Sequence, residues 1–144
     1  AVTSITEKNF LQKNWKWEKP ILITPSVFED KDTYIFPEKT KGQYFILHRV
    51  GDEICGDYLK SLDFKKDIVK RCIRIIGPRA NSWDSSKVGI SAPPIKTKNG
   101  WLLLYHGVSN GSGQFYLTLK IRQLFSRARL TQYLSQRNHM KKLV

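Results

Sequence analysis

The sequence predicts an all-β fold made of repeated groups of short antiparallel strands, the pattern of β-propeller blades. Three observations carry this reading. The run GWLLLYHGV at 100–108 sets five bulky residues (101–105) between turn residues, as in a strand buried on both faces. The segments KTKGQYFILHR (39–49) and KTKNGWLLLYHG (96–107) match, each with six residues from Gly to His across an apolar strand. The resulting period of 58 residues is long for a helical repeat but tolerable for a four-stranded blade with a loop insertion. Finally, four short strands fall between residues 33 and 76, as many as one blade requires.

Taken in order, residues 1–19 are polar with aromatic punctuation at Phe10, Trp15 and Trp17, and read as an edge strand or an interblade segment. Pro20 opens a short strand at 21–23, followed by the turn-rich TPSVFEDKD. Strands are predicted at 33–36, 43–49 and 53–61, with turns at 39–42 and 50–52. CIRII at 72–76 makes the fourth, which Gly77-Pro78 ends. A second group comprises 92–97, 101–108 and, after SNGSG, 114–119. Beyond 119 the strand pattern stops. Apolar residues at Ile121, Leu124, Phe125, Ala128, Tyr133 and Leu134 then take helical spacing on a basic background. The organisation is therefore a leading segment (1–19), a partial propeller of about two blades (20–119) and a basic tail (120–144), helical or disordered.

Composition narrows the class. At 144 residues, with 40% apolar and 12% aromatic content, the chain suits one folded domain. No apolar run is long enough to span a membrane, and the N-terminus lacks a signal-peptide pattern, so no membrane partner and a cytoplasmic location are expected. The chain begins Ala-Val, as a trimmed protein or a fragment would. Cys55 and Cys72 read most simply as buried reduced thiols. The net charge of +13 is uneven. Residues 118–144 hold seven Lys and Arg and no acid, leaving 18 basic against 12 acidic groups before them. A modestly basic body suits an anionic small ligand, and no nucleic-acid motif accompanies the charge.

The segments DKDTYIFPEKTKGQYFILHR (30–49), SLDF (61–64) and WDSSKVGISAPPIKTKNGWLLLYHGVS (83–109) resemble glycoside hydrolase family 130, the β-mannoside phosphorylases and related hydrolases. The resemblance covers residues 20–119. It implies a five-bladed β-propeller with its active site at the central mouth. It also implies the attack of inorganic phosphate, as co-substrate and with no cofactor or metal, on a β-1,4-linked mannooligosaccharide, giving mannose 1-phosphate with inversion. Lys87 in WDSSK matches the family lysine that reaches phosphate and sugar, where a mobile ammonium at a rim suits a phosphate oxygen. His48 in LHR matches a histidine of the substrate subsites, and Tyr116 in QFYLTL a tyrosine that bonds phosphate, although Leu117 follows where Arg is usual. Arg49 and His106 lie on the same motifs and are placed in or near the pocket. The general-acid Asp belongs to a blade that this sequence does not contain, so no catalytic residue is assigned. Without the motifs, Lys87 reads as a surface charge and the two histidines as caps of backbone groups.

Three function classes follow: an incomplete mannoside phosphorylase, a β-mannoside hydrolase of the same family, and a non-catalytic binding protein that uses the basic tail. The tail itself reads as a truncated or frame-shifted end, or as a basic helix that docks elsewhere. A partial propeller leaves unpaired sheet edges, so self-association is expected.

Overall fold

The structure is a computed structural model that describes residues 1–26, 29–40, 42–98, 100–111 and 114–124, with backbone alone from Asn110 onward. It divides into two compact units, 1–75 and 76–144. The tail expected to be helical or disordered lies, from 125, outside the described residues.

The first unit opens with a short helix, α1 (Glu7–Leu11), where an edge strand or connector was expected. Thr6 caps it by accepting the amide of Asn9. Val2 bridges Ile21, so the segment at 21–23 contributes a single bridge rather than a strand. A four-stranded sheet follows in sequence order: β1 (Asp30–Ile35), β2 (Tyr44–Val50), β3 (Glu53–Leu59) and β4 (Ile73–Ile76). β2 is the buried centre, as its apolar run demands. Strand alternation sends Phe45, Leu47 and Arg49 to one face, and Tyr44, Ile46 and His48 to the other. On the first face Phe45 packs between Phe36 and Tyr58, with ring centroids at 5.1 and 4.6 Å. Gly56 makes room for it, because a Cβ there would run into the Phe45 ring.

The other face is closed by the unit's own chain. Residues 69–72 lie across it as a strap. Val69 joins Ile46 and Leu59 in a buried cluster. Asp57 Oδ2 accepts the backbone amides of Lys70 and Arg71 at 2.9 and 3.0 Å. Cys72 is bonded to Cys55, with Cα atoms 4.9 Å apart. This corrects the expectation of two reduced thiols: strand register sets Cys55 opposite His48, and the strap brings Cys72 over the same face.

In the second unit β7 (Gly100–Gly111) is the long central strand, and β8 (Gln114–Leu124) pairs along its whole length. β8 thus runs five residues past the expected end at 119. The other edge of β7 is shared by β5 (Lys87–Ile90), opposite 105–108, and β6 (Ile95–Thr97), opposite 100–102. The strand expected at 92–97 is only β6, and β5 before it has no counterpart among the expected strands. Pro93 and Pro94 separate them, since proline offers no amide to a ladder. The matched KTK segments form matching turns: Thr40 and Gln43 exchange backbone bonds before β2, and Thr97 pairs with Gly100 at the β6–β7 turn. Both turns use a positive-φ glycine, Gly42 at 77° and Gly100 at 130°.

Candidate functional site

Lys87 and His106 are brought together on one face of the second unit. Lys87 stands opposite Val108 and Gly89 opposite His106, so the two side chains are diagonal neighbours on adjacent strands, a relation that spaces residues by about 7–8 Å. Gly89 places no side chain between them. Ser91 continues the same row: its amide donates to Leu104 O at 3.0 Å, and its hydroxyl lies 3.1 Å from His106 Nδ1. Lys87 is half-buried, and its ammonium meets no acid among the described residues. One mobile cation beside an imidazole and a hydroxyl makes a donor set for an oxyanion or for sugar hydroxyls.

The loop that delivers Lys87 is pinned by Asp84, which is not among the expected site residues. Asp84 is fully buried. Both of its oxygens accept from Arg79 Nε at 3.0 Å, and the Tyr105 hydroxyl donates to Oδ2 at 3.4 Å. Trp83 lies 5.6 Å from the Tyr105 ring, and the Arg79 guanidinium stands 5.9 Å over Trp83. The hydrogen bond to Asp84, and then its charge, raise Arg79 above the ordinary arginine value against a desolvation that lowers it. Gly107 on β7 lets this loop sit down, because a Cβ there would collide with Asp84 Cβ and the Trp83 ring. Two backbone bonds complete the seat, Ser85 to Ser82 O at 3.1 Å and Ser86 to Val108 O at 2.8 Å. A sequence signal existed: an acid beside a tryptophan, five residues after an arginine, at the mouth of an apolar strand pair.

His48 and Arg49 sit in the first unit and are not brought together. As neighbours on β2 they point to opposite faces. His48, 3% exposed, has Asp30 Oδ2 at 2.7 Å from Nδ1, while Nε2 donates to Arg71 O at 3.0 Å. Arg49 Nε donates to Asp32 Oδ2 at 2.8 Å, and its Nη1 to Gly51 O at 2.7 Å. Asp32 reaches it from an irregular step in the β1–β2 register, with φ of 51°. Both motif residues therefore have internal partners, and a sugar contact from either would compete with these bonds. Tyr116 stands opposite Ser109 in the β7–β8 ladder, and its side chain lies outside the described residues. A cavity of about 700 Å³ in the first unit is lined by groups such as Glu18, Ile21, Ile35 and Phe64, and by none of the expected site residues. The described residues hold no cluster of His, Cys, Asp and Glu fit for a metal. No helix among them is long and apolar enough to cross a membrane.

Comparison with known proteins gives this arrangement a context. The family model for β-1,4-mannooligosaccharide phosphorylases, glycoside hydrolase family 130, matches residues 5–124. A 1,2-β-oligomannan phosphorylase of Thermoanaerobacter sp. strain X514 is 38% identical over 110 residues, covering 74% of this chain and 33% of that protein. A β-1,4-mannooligosaccharide phosphorylase of Ruminococcus albus is 30% identical over 89 residues, covering 60% and 26%. Among solved structures, a β-1,2-mannobiose phosphorylase from Listeria innocua in complex with β-1,2-mannobiose matches with a TM-score of 0.52 and 33% identity, over 67% of this chain and 28% of that one. The chain spans about a third of the length of the curated relatives it matches. The structural likeness makes the two sheets blades of a β-propeller. A family match over most of the chain, blades of the same architecture and the motif-bearing strands in their expected order agree: this chain belongs to glycoside hydrolase family 130.

Proposed function

We propose that the chain supplies part of the phosphate and sugar site of a β-mannoside phosphorylase and does not turn over alone. In the reaction a phosphate oxygen attacks the anomeric carbon from the face opposite the glycosidic oxygen. That oxygen leaves with a proton, and mannose 1-phosphate forms with inversion. No residue here is assigned to deliver the proton, in keeping with a chain that spans a third of its relatives. The observation that supports the reading is the row of Lys87, His106 and Ser91, held by the buried Asp84. Lys87 would neutralise phosphate charge. His106 and Ser91 would orient an oxygen of phosphate or sugar; Tyr116, which stands opposite Ser109 and so in the alternate row of the ladder from Lys87, is kept as a candidate on its motif alone. His48 and Arg49 are kept as sugar-binding candidates on their motif, each already bonded within the first unit.

The β-1,4 linkage is the leading reading, carried by the family description. A β-1,2 linkage is the second, favoured by relatives of that specificity at 36–40% identity against 30% for the β-1,4 enzyme. A cytoplasmic setting remains part of the proposal, although disulfides persist there only as transient or regulated bonds. Self-association through the sheet edges is kept as well.

The test is phosphorolysis of β-1,4- and β-1,2-mannobiose by the purified chain, followed as mannose 1-phosphate, with phosphate binding measured in parallel by ³¹P NMR on the chain and on Lys87→Ala. We expect no product from either sugar, and phosphate binding that weakens about tenfold in the variant, the loss of one charge-assisted hydrogen bond. Phosphate binding indifferent to Lys87 would sink the site assignment. Turnover by the chain alone would sink its incompleteness. Light scattering on the same sample reads association, and a strict monomer would remove that part.

A further inference from the structure

The geometry points to a thiol–disulfide exchange site at Cys55–Cys72, entered at Cys72, whose oxidation state sets the position of the Arg71 carbonyl against His48. The two sulfurs are unlike in access. Cys55 is fully buried on β3, whereas Cys72 is exposed at the end of the strap. Exposed Lys70, Arg71 and Arg74 surround Cys72 in sequence. Arg74 is held beside the strand pair by Glu53 at 3.0 Å. An incoming thiolate is therefore drawn to Cys72 and shut out from Cys55.

The exchange balances with a dithiol as reductant. One thiolate of the dithiol attacks Cys72 Sγ. The sulfur–sulfur bond breaks with its electron pair on Cys55 Sγ, which takes up a proton. The second thiolate of the reductant then attacks the mixed disulfide at Cys72, closing the reductant's own disulfide and releasing the Cys72 thiolate. Two electrons pass from the dithiol, which is oxidised, to the cystine, which is reduced. A monothiol does this poorly. Cys55 is buried against Cys72 with Cα atoms 4.9 Å apart, so it recaptures Cys72 before a second monothiol arrives.

Consequences for His48 follow from the strap. Arg71 is fixed at three points: its amide on Asp57 Oδ2, its carbonyl on His48 Nε2, and its neighbour Cys72 on Cys55. Asp57 also holds the amide of Lys70, so reduction frees the strap at its Cys72 end, next to the Arg71 carbonyl, while the Lys70 end stays anchored. The carbonyl that receives His48 lies one residue from the bond that opens. Asp30 Oδ1, on the other side of the ring, is buried and has no hydrogen-bond partner among the described residues. It borders a cavity of about 20 Å³ shared by His48, Arg71 and Cys72, space on the order of one water. Cleavage is thus read out in a buried imidazole as well as in two thiols.

The experiment has two arms on the full chain. In the first, Cys55→Ser and Cys72→Ser, each checked for native circular dichroism, are incubated with oxidised glutathione and followed by mass spectrometry. Cys72 should take up glutathione about a hundredfold faster than Cys55, which is reached only through local opening. In the second, the native chain is titrated with dithiothreitol and with reduced glutathione while the His48 ring resonances are recorded. Dithiothreitol should free two thiols and shift those resonances, and glutathione at equal thiol should do neither. Equal modification rates, two free thiols in the chain before any reductant, or His48 resonances unmoved on full reduction would each overturn the inference. Should Cys55→Ser not fold, Cys55→Ala gives the same comparison with a side chain suited to the apolar site.

Discussion

Gly107→Ala tests whether the loop that carries Lys87 rests on β7 as described. The added Cβ would lie 2.9 Å from Trp83 Cε3 and closer still to Trp83 Cζ3 and Asp84 Cβ, where ordinary contacts begin near 3.4 Å. The ring can tilt, but a Cβ moves only with its backbone. The loop must therefore retreat from the strand by about 1 Å, the shortfall in van der Waals contact. Overpacking of this kind costs about 1–3 kcal/mol. The retreat also stretches the bonds on buried Asp84, from Arg79 and from Tyr105, and losing one adds about 1 kcal/mol. We expect a total near 3 kcal/mol, read as a lowered urea midpoint and a melting temperature lower by roughly 10 °C or more. Gly51→Ala is the control. Nothing among the described residues lies within 4 Å of its Cβ, and its φ of 57° carries only the backbone strain of about 1 kcal/mol. Tryptophan fluorescence and far-ultraviolet circular dichroism follow both variants. A Gly107→Ala midpoint no lower than that of Gly51→Ala would refute the seating of the loop, and with it the placement of Lys87.

Two further predictions concern the first unit. His48→Ala removes one partner of a buried pair and leaves Asp30, 5% exposed, facing a void, so a loss of about 3 kcal/mol is expected by chemical denaturation; a loss below 1 kcal/mol would mean that water reaches the site. The Asp63 carboxyl is held below its ordinary value of 3.8, first by its hydrogen bond with Lys66, then by the Lys65 amide. Because its pKa is lowered on folding, its contribution to stability is present above 3.8 and is lost as pH falls through the depressed value. Lys66→Ala should raise the Asp63 titration midpoint in a carboxyl NMR titration, and an unchanged midpoint would dismiss the pair.

The parts of the fold legible in the sequence were those written as long apolar runs. FILH and WLLLY announced β2 and β7, because a central strand needs apolar residues on both faces. KVGI did not announce β5: four residues with a glycine, straight after a turn, carry too little pattern to separate a strand from a loop. The helix at Glu7–Leu11 escaped for a similar reason, being a single turn with no buried residue. The disulfide was invisible because its partners are 17 residues apart and meet only once the strap crosses β3. The separation of His48 from Arg49 was legible, since neighbours on a strand face opposite ways. Asp84 was not, because its importance lies in burial, and a lone acid in a Ser-rich loop reads as exposed.

The interruption between β5 and β6 gives the second blade a direction. On that side the row of amides is broken by Pro93 and Pro94, and a foreign strand laid along it would find donors missing midway. On the other side β8 runs for 11 residues, matched to β7 throughout. Any sheet extending from this blade therefore grows from one flank only. A single strand-breaking residue in β8 would leave the described strands of this blade with no unbroken edge to template another.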